Sequence, residues 1–293
     1  MSDYLKEEWR DGCFVDEKRK KLWNVELDII QEIDRICAKY DIKYCILGGA
    51  LIGAIRHKGF IPWDDDMDIG MLRKDYEKFI SVAQRELEEK FFVQTGINDE
   101  DYYDKIIRVR DRNTTGIVRK DLHSHCNNGV FIEVYPFDSV NTNIVKYKIQ
   151  IFRAKVINAV LHYSVYGQNK RCRAFAAKSI CNIFGKEELM THLTKILSMY
   201  NDKGFEMVDL LLLPYNCKYK KKDMEETIRV PYEYLKLCIP KGYDACLKTT
   251  YGDYMKMPPA EQRVQHHNKV VFYDPYHPYD DKIILAKAEE YFL

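Results

Sequence analysis

The sequence predicts an α/β (α+β) fold in which a mixed sheet is flanked by helices. Residues 16–40 and 74–89 carry apolar side chains at steps of three and four, which is the period of an amphipathic helix. Short apolar runs bounded by polar turns lie between and after these helices, a pattern typical of strands. With 293 residues, 46% of them apolar, the chain is long enough to bury a sizeable core.

The other elements follow from the same periods along the chain. The predicted helices are 16–40, 50–57, 74–89, 187–200, 243–250 and 282–292. The predicted strands are 43–47, 67–72, 91–95, 105–109, 116–118, 130–135 and 205–213, with a hairpin over 230–240. We divide the chain into a core (1–140), a mainly helical basic insert (141–228) and a C-terminal segment that completes the core (229–293).

The charge balance and the cysteine pattern argue against several classes of protein. A formal net charge of +1 gives the whole surface no affinity for nucleic acid. The nine cysteines form no C-x-x-C pair and no zinc-finger spacing, and the polar N-terminus has no signal-peptide core, so we expect a cytoplasmic protein. No run approaches the roughly 20 apolar residues of a membrane-spanning helix.

Two aspartates in the second predicted strand indicate a metal site. Asp66 and Asp68 lie two residues apart, so on a strand their side chains project from one face, while Met67 and Ile69 project toward a core. Neighbouring carboxylates repel each other unless a cation lies between them, and oxygen ligands suit Mg²⁺ or Mn²⁺. The alternative is an acidic cluster in a solvated turn.

A third acid lies on the predicted strand 130–135. Alternation there places Glu133 on the same face as Tyr135, among apolar and aromatic neighbours. A lone buried carboxylate is costly unless something pairs with it. Beside the Asp66 and Asp68 strand, Glu133 would supply a third metal ligand. A glutamate on an edge strand that faces water is the alternative.

Several residues near these acids are candidates for binding phosphate. Gly48 and Gly49 end a predicted strand, and without Cβ atoms their backbone amides can approach a phosphate. Arg56 and Arg108 can bind phosphate oxygens, although a salt bridge to nearby acids is an equal alternative for each. Asp64 either orients a metal-bound water, holds Arg56 in place, or is a simple loop residue.

Residues 139–185 contain no aspartate or glutamate, while lysine and arginine alternate there with apolar and aromatic residues. This pattern predicts two or three basic amphipathic helices, which suit peripheral contact with the anionic inner face of a membrane. Packing helices whose outer faces happen to be basic are the alternative. RNA binding is not favoured, because no RNP, KH or zinc signature accompanies the charge.

Four fragments together resemble the LicD family. They are the GG pair at 48–49, RHKGFIPWDDDMDIG at 56–70, FIEVYPFD at 131–138 and YGDYMKMPP at 251–259. The resemblance implies a nucleotidyltransferase-like fold, with residues 1–140 as its catalytic core. The family more often has an aspartate at the position of Glu133, so the longer side chain is a departure.

The resemblance also implies an activity. It is the metal-dependent transfer of phosphocholine, or a related phospho-alcohol, from CDP-choline or another CDP-alcohol, with release of CMP. The acceptor is a hydroxyl of a cell-surface glycan or teichoic-acid precursor, including a lipid-linked glycan. Asp66, Asp68 and Glu133 are the predicted catalytic and metal residues. A nucleotidyltransferase that releases pyrophosphate and a non-catalytic glycan-binding module are the alternatives.

Two further assignments depend on that activity. A quaternary ammonium group needs an aromatic face, for which Trp63 and Tyr135 are the candidates, joined by Tyr251 or Tyr254. The acceptor proton would pass to Glu133 or Asp68. His266 and His267 follow the last motif, and we interpret them as structural.

Overall fold

The computed structural model describes residues 3–122, 124–167, 171–213, 217–263 and 270–280. Within them the helices are α1 (Glu17–Lys39), α2 (Gly48–Arg56), α3 (Arg73–Glu86), α4 (Ile144–Tyr166), α5 (Arg171–Phe184), α6 (Lys186–Leu197), α7 (Lys221–Glu225) and α8 (Tyr243–Tyr251). The strands are β1 (Glu8–Arg10), β2 (Cys13–Val15), β3 (Cys45–Ile46), β4 (Asp68–Leu72), β5 (Phe91–Gln94), β6 (Ile107–Asp111), β7 (Thr115–Val118), β8 (Val130–Ser139), β9 (Met207–Asp209), β10 (Tyr219–Lys220), β11 (Thr227–Tyr232), β12 (Leu235–Pro240) and β13 (Val270–Asp274).

The main sheet is built around β8, every residue of which is buried. β8 pairs in parallel with β4 and antiparallel with β6 and β9. β3 extends the sheet beyond β4, β5 beyond β6, and β10 beyond β9, each by an antiparallel pair. This mixed sheet with flanking helices confirms the predicted α/β class.

Helix α1 covers the sheet, as the apolar period predicted. Asp16 caps its N-terminus by accepting a hydrogen bond from the backbone N–H of Arg19 at 2.7 Å. The predicted apolar side chains are all buried in the main core: Leu22, Val25, Ile29, Ile33 and Ile36. Burial of this stripe, rather than helix propensity, is what holds such a helix in place.

The glycine pair differs from its prediction. It was expected to close a strand in a turn ahead of a helix over 50–57, but Gly48 itself begins α2. Gly48 has a φ of +57°, a conformation that favours glycine, and this allows the chain to pass directly from β3 into the helix. The glycine amides are therefore part of a helix N-terminus.

The basic region folds as predicted into helices, α4 and α5, followed by α6. Their inner side chains form a second apolar cluster, which includes Tyr103, Val140, Ala154, Leu161, Leu193 and Leu197. The strand predicted over 205–213 is shorter, because only β9 pairs with β8 there. β9 and β10 fall within the predicted insert 141–228, yet they extend the main sheet.

The C-terminal segment packs back on the core. The predicted hairpin over 230–240 is formed by β11 and β12, and Tyr232, Leu237 and Ile239 join the main core. β13 pairs with β7, although residues 270–274 were predicted to be irregular, and the short β1–β2 hairpin was not predicted. His266, His267 and the predicted helix 282–292 lie outside the described residues.

No helix in the described parts of the chain combines the length and the apolar character needed to cross a membrane.

Candidate active site

The parallel pairing of β4 with β8 brings two of the predicted acids together. Asp68 is the register partner of Glu133, and Ile69 is the partner of Val134. Ile69 and Val134 are completely buried, so their side chains lie in the core and the two acids face away from it. β4 begins at Asp68, and Asp66 therefore precedes the strand instead of lying within it.

Glu133 is held from both sides. Its Oε1 accepts hydrogen bonds from Arg108 Nη2 at 2.8 Å and from Arg108 Nε at 3.1 Å. Its Oε2 accepts a hydrogen bond from the hydroxyl of Tyr135, which lies on the same face of β8, as the alternation predicted. Glu133 is only 5% exposed, which excludes the alternative of an edge-strand glutamate that faces water.

Arg108 was a candidate for binding phosphate, but it is buried and pairs with carboxylates instead. Besides Glu133, its guanidinium contacts Asp121 at 3.2 Å and lies 4.4 Å from the ring centroid of Phe131. Arg110 projects from the same face of β6 and also lies against Phe131. With 2% of its surface exposed, Arg108 is a buried anchor for two carboxylates.

Tyr135 remains a neutral phenol in this environment. Burial raises its pKa, and the neighbouring carboxylates Asp68 and Glu133 raise it further. A neutral phenol can donate its hydrogen bond to Glu133 throughout the physiological pH range. Tyr135 thereby fixes the orientation of the Glu133 carboxylate.

A second group of acids precedes β4. Asp64, Asp65 and Asp66, which we call the acidic loop, have carboxylate oxygens within 4.8 Å of one another, close enough to hold a metal ion together. The group contains Asp66 of the predicted metal set but not Asp68 or Glu133.

Helix α1 fixes the backbone of the acidic loop. The carbonyl oxygen of Asp64 accepts hydrogen bonds from Arg19 Nη1 at 2.9 Å and from Trp23 Nε1 at 3.1 Å. The loop is therefore held close to α1 even though its carboxylates repel one another. Such preorganisation suits the binding of a cation.

Glu26 is a member of this site that the sequence analysis missed. It is 1% exposed, and it lines a small cavity together with Asp65 and Asp66. Burial raises its pKa well above the ordinary value, and the charges of Asp66, Asp65 and Asp64 add to the effect. The sequence does contain a signal for Glu26. It lies four residues after Leu22 on α1, so it is a glutamate on the apolar stripe of a helix, where a charged side chain is unusual.

The chemistry of these residues fits a hard divalent cation. All the candidate ligands are carboxylate oxygens, the type that Mg²⁺ and Mn²⁺ prefer. Glu26 Oε2 is buried and has no hydrogen-bond partner in the described structure. Carboxylates grouped as closely as those of the acidic loop favour the binding of a cation.

The start of α2 lies against both groups of acids. A Cβ atom placed on Gly48 would be 3.8 Å from Asp68 Oδ2 and 3.7 Å from the hydroxyl of Tyr251. A Cβ atom on Gly49 would overlap the carboxylate of Asp64. The glycine pair therefore faces the acids, and its lack of side chains is what allows this close approach.

Arg56 and Trp63 lie together in another cluster. Arg56 donates hydrogen bonds to His57 Nε2 at 2.9 Å and to the carbonyl oxygen of Tyr254 at 2.9 Å. The Trp63 ring meets the edge of His57, and the guanidinium of Arg263 lies 5.9 Å from its centroid. These contacts attach the end of α2 to the C-terminal segment.

Comparison with known proteins agrees with this architecture. The sequence model of a family described as "LicD/FKTN/FKRP, nucleotidyltransferase domain" matches residues 41–162. The lipopolysaccharide cholinephosphotransferase LicD of Haemophilus influenzae is 30% identical over 254 residues, which cover 82% of this chain and 92% of that protein. An uncharacterized protein of Rickettsia prowazekii is 36% identical over 78 residues, covering 24% of this chain and 29% of its own.

The fold and the family match define a phosphotransferase with a nucleotidyltransferase-type domain. The extent of the Haemophilus influenzae match then decides the family: the chain belongs to the LicD family, as its motifs predicted.

The buried position of Glu26 leads to a pH dependence of stability. Its pKa is raised in the folded protein, so the folded state retains a proton that the unfolded state has lost. The free energy of unfolding should fall as pH rises from the ordinary glutamate pKa toward the raised one, by at most about 1.4 kcal/mol per pH unit. We expect Glu26→Gln to remove this fall in urea denaturation between pH 5 and pH 8 with a chelator present. The exposed Glu89→Gln should leave the slope unchanged, and equal slopes for wild type and Glu26→Gln would contradict the assignment.

The anchoring role of Arg108 can be tested by removing its charge. Arg108→Met keeps the apolar stem but leaves Glu133 and Asp121 as buried carboxylates without their main cation. We expect the free energy of unfolding to fall by about 3–5 kcal/mol, as for other broken buried ion pairs. Urea denaturation measures this loss. The exposed Arg112→Met should cost less than about 1 kcal/mol, and a similar cost for both variants would show that Arg108 is no anchor.

Proposed function

We propose that this protein transfers phosphocholine, or a related phospho-alcohol, from a CDP-linked donor to a hydroxyl of lipopolysaccharide or another cell-surface glycan precursor, such as a teichoic acid, and releases CMP. The name of the Haemophilus influenzae relative supports phosphocholine as the group and lipopolysaccharide as the acceptor. The observation that carries the proposal is the pair Asp68 and Glu133, in register beside the N-terminus of α2.

The donor diphosphate binds at the start of α2 in this proposal. The first amides of a helix carry a partial positive charge, and no side chain among the described residues caps those of α2. Gly48 and Gly49 leave room for phosphate oxygens to reach the amides, next to Asp68 and the acidic loop. Anion-binding amides beside cation-binding carboxylates suit a metal diphosphate.

Asp66 and Asp68 would hold Mg²⁺ or Mn²⁺, with Asp64 beside Asp66 in the acidic loop, and Glu133 would support Asp68 from the neighbouring strand. When bound, the ion supplies positive charge that neutralises the phosphate oxygens of the donor. Arg108 and Tyr135 position Glu133 through both of its carboxylate oxygens. Asp65 adds negative charge beside these ligands, and Glu26 lines the same small cavity as Asp65 and Asp66.

The reaction exchanges one phosphorus–oxygen bond for another. The oxygen of the acceptor hydroxyl forms a bond to the phosphorus of phosphocholine, and the bond from that phosphorus to the bridging oxygen breaks, so that CMP leaves with the bridging oxygen. We assign the hydroxyl proton to Asp68. Glu133 is the weaker candidate, because Arg108 and Tyr135 already occupy its oxygens.

The cysteines support a cytoplasmic reaction. All nine are free thiols, and several, such as Cys37, Cys45 and Cys246, are buried in apolar surroundings. Free thiols persist in a reducing compartment.

The proposal is tested by incubating the purified protein with Mg²⁺, a glycan acceptor and a panel of CDP-choline, CDP-ethanolamine, CDP-ribitol and CDP-glycerol. We expect CMP to be released with one donor above the others. Asp68→Asn should lower kcat/KM by at least about 100-fold, because it removes a carboxylate from the proposed metal site. The matched control is Asp202→Asn, which changes an exposed acid outside the site and should leave the rate unchanged.

Two kinds of result would contradict the proposal. Release of pyrophosphate from a nucleoside triphosphate, with no CMP from any CDP-alcohol, would replace the proposal by nucleotidyl transfer, which the description of the matching domain favours as the second candidate. Full activity of Asp68→Asn, or full activity after chelation and dialysis, would refute the proposed metal site.

We assign the aromatic contact with the choline group to Tyr251. Its hydroxyl lies beside Gly48 and Asp68, and its side chain is 48% exposed, whereas the Trp63 ring faces Arg263. We expect Tyr251→Ala to raise KM for CDP-choline about fivefold, the loss of one cation–π contact, and to leave KM for CDP-ribitol or CDP-glycerol nearly unchanged. Tyr251→Phe keeps the ring and should keep KM. Steady-state kinetics with each donor distinguishes this result from an equal loss across donors, which would exclude an aromatic contact with choline.

A further inference from the structure

Helix α4 exposes a continuous apolar stripe to solvent. Val145, Ile149, Phe152 and Val156 follow one another at steps of four, three and four residues, so they lie on one side of the helix. They are 61%, 53%, 69% and 49% exposed. Contiguous apolar surface of this kind marks an interaction site in a soluble domain.

This stripe is separate from the side of α4 that faces the protein. Gln150, Ala154 and Leu161 lie on the opposite side of the helix and are buried against the second apolar cluster. Gln150 Nε2 donates hydrogen bonds to the last carbonyls of α6 at 2.9 and 3.0 Å. The inner side of α4 therefore holds the helix on the protein, and the exposed apolar side chains of its outer side take no part in that packing.

Helix α5 continues the same type of surface. It packs along α4 through residues such as Ala177, while Phe175 and Ile183 are 76% and 74% exposed. Phe175 and Ile183 are separated by about 80° around the helix, so they share one side of it. We define the docking face as Val145, Ile149, Phe152, Val156, Phe175 and Ile183.

Charge on both sides of the docking face decides what can cover it. At 100° per residue, Lys148 and Lys155 flank the α4 stripe on one side, and Lys146 and Arg153 flank it on the other. All four are exposed, and no acid occurs anywhere in residues 139–185. A second copy of this chain would bring lysines against lysines, whereas anionic phospholipid head groups would pair with them.

We propose that the docking face lies on a membrane surface that contains anionic phospholipids. The apolar side chains enter the boundary between head groups and acyl chains, to a depth of about 5–10 Å for a helix that lies in this interface. The flanking lysines and arginines remain at the level of the phosphates.

The C-terminal end of α4 connects this surface to the candidate active site. The hydroxyl of Tyr166, at the end of α4, accepts a hydrogen bond from the backbone N–H of Tyr103 at 3.0 Å. Lys120 Nζ lies 5.1 Å from the Tyr166 ring centroid and 2.6 Å from Asp104 Oδ2. Asp104 lies 3.8 Å from Arg108, the anchor of Glu133. A docked α4 would hold the site at a fixed orientation to the membrane, which suits an acceptor carried by a lipid.

The test is co-sedimentation of the full chain with phosphatidylcholine vesicles, with and without phosphatidylglycerol, in the absence of any donor. We expect binding to the anionic vesicles alone, and loss of that binding when salt is raised to 1 M, where the screening length falls to about 3 Å. Because the assay needs no turnover, its result is independent of the proposed function.

Two pairs of variants separate the apolar and the charged contributions. Phe152→Ser with Val156→Ser should weaken binding at least about tenfold, whereas Trp9→Ser with Phe14→Ser, exposed residues of the β1–β2 hairpin, should not. Lys148→Gln with Lys155→Gln should weaken it about fivefold for each charge removed. The exposed pair Lys236→Gln with Lys256→Gln is the matched control.

Three results with vesicles would overturn the proposal. In the first two, the wild type sediments with neither vesicle, or equally with both. In the third, the docking-face variants unfold at the same temperature as the wild type and bind the vesicles equally well. A wild-type dimer in light scattering that Phe152→Ser with Val156→Ser converts to monomer would also overturn it, since a second copy would then cover the face.

Discussion

The parallel register between β4 and β8 is the constraint on which the candidate site depends. It places Asp68 opposite Glu133 because Ile69 and Val134 must both remain in the core. A slip of one residue would turn the whole of β4 over and would exchange acids for apolar side chains. The free energy of core burial therefore fixes the position of two carboxylates, and the chemistry of the site takes its geometry from the packing beneath it.

Two groups of acids meet the start of α2 in different settings. Glu133 accepts hydrogen bonds from Arg108 and Tyr135, and Arg108 also contacts Asp121, so this group is a buried network. The acidic loop brings three carboxylates together, and Asp64 lies against Gly49. The buried network gives Glu133 a fixed position, whereas the acidic loop concentrates negative charge close to the helix N-terminus.

Sequence patterns predicted the parts of this arrangement that depend on one element at a time. The stripe of α1, the alternation that joins Glu133 to Tyr135, and the basic helices all follow from helix or strand periods. The sequence could not show whether Arg108 binds a phosphate or a carboxylate, because an arginine on a strand can pair with either. Gly48 was expected in a turn because glycine propensity alone does not show that a helix begins there. β13 is defined by its pairing with β7 across the chain, which local pattern cannot reveal.

The approach of Tyr251 to Gly48 has a consequence for how the protein matures. These residues come from distant parts of the chain, and Asp68 and Glu133 are also separated by several intervening elements. Contacts between such distant segments close late, because a long loop must be ordered before they form. A nascent chain on the ribosome that has not reached the end of α8 contains Gly48, Gly49, Asp68 and Glu133 but lacks Tyr251. The complete candidate site therefore forms only after synthesis has passed α8, so partly made chains lack the wall that Tyr251 contributes.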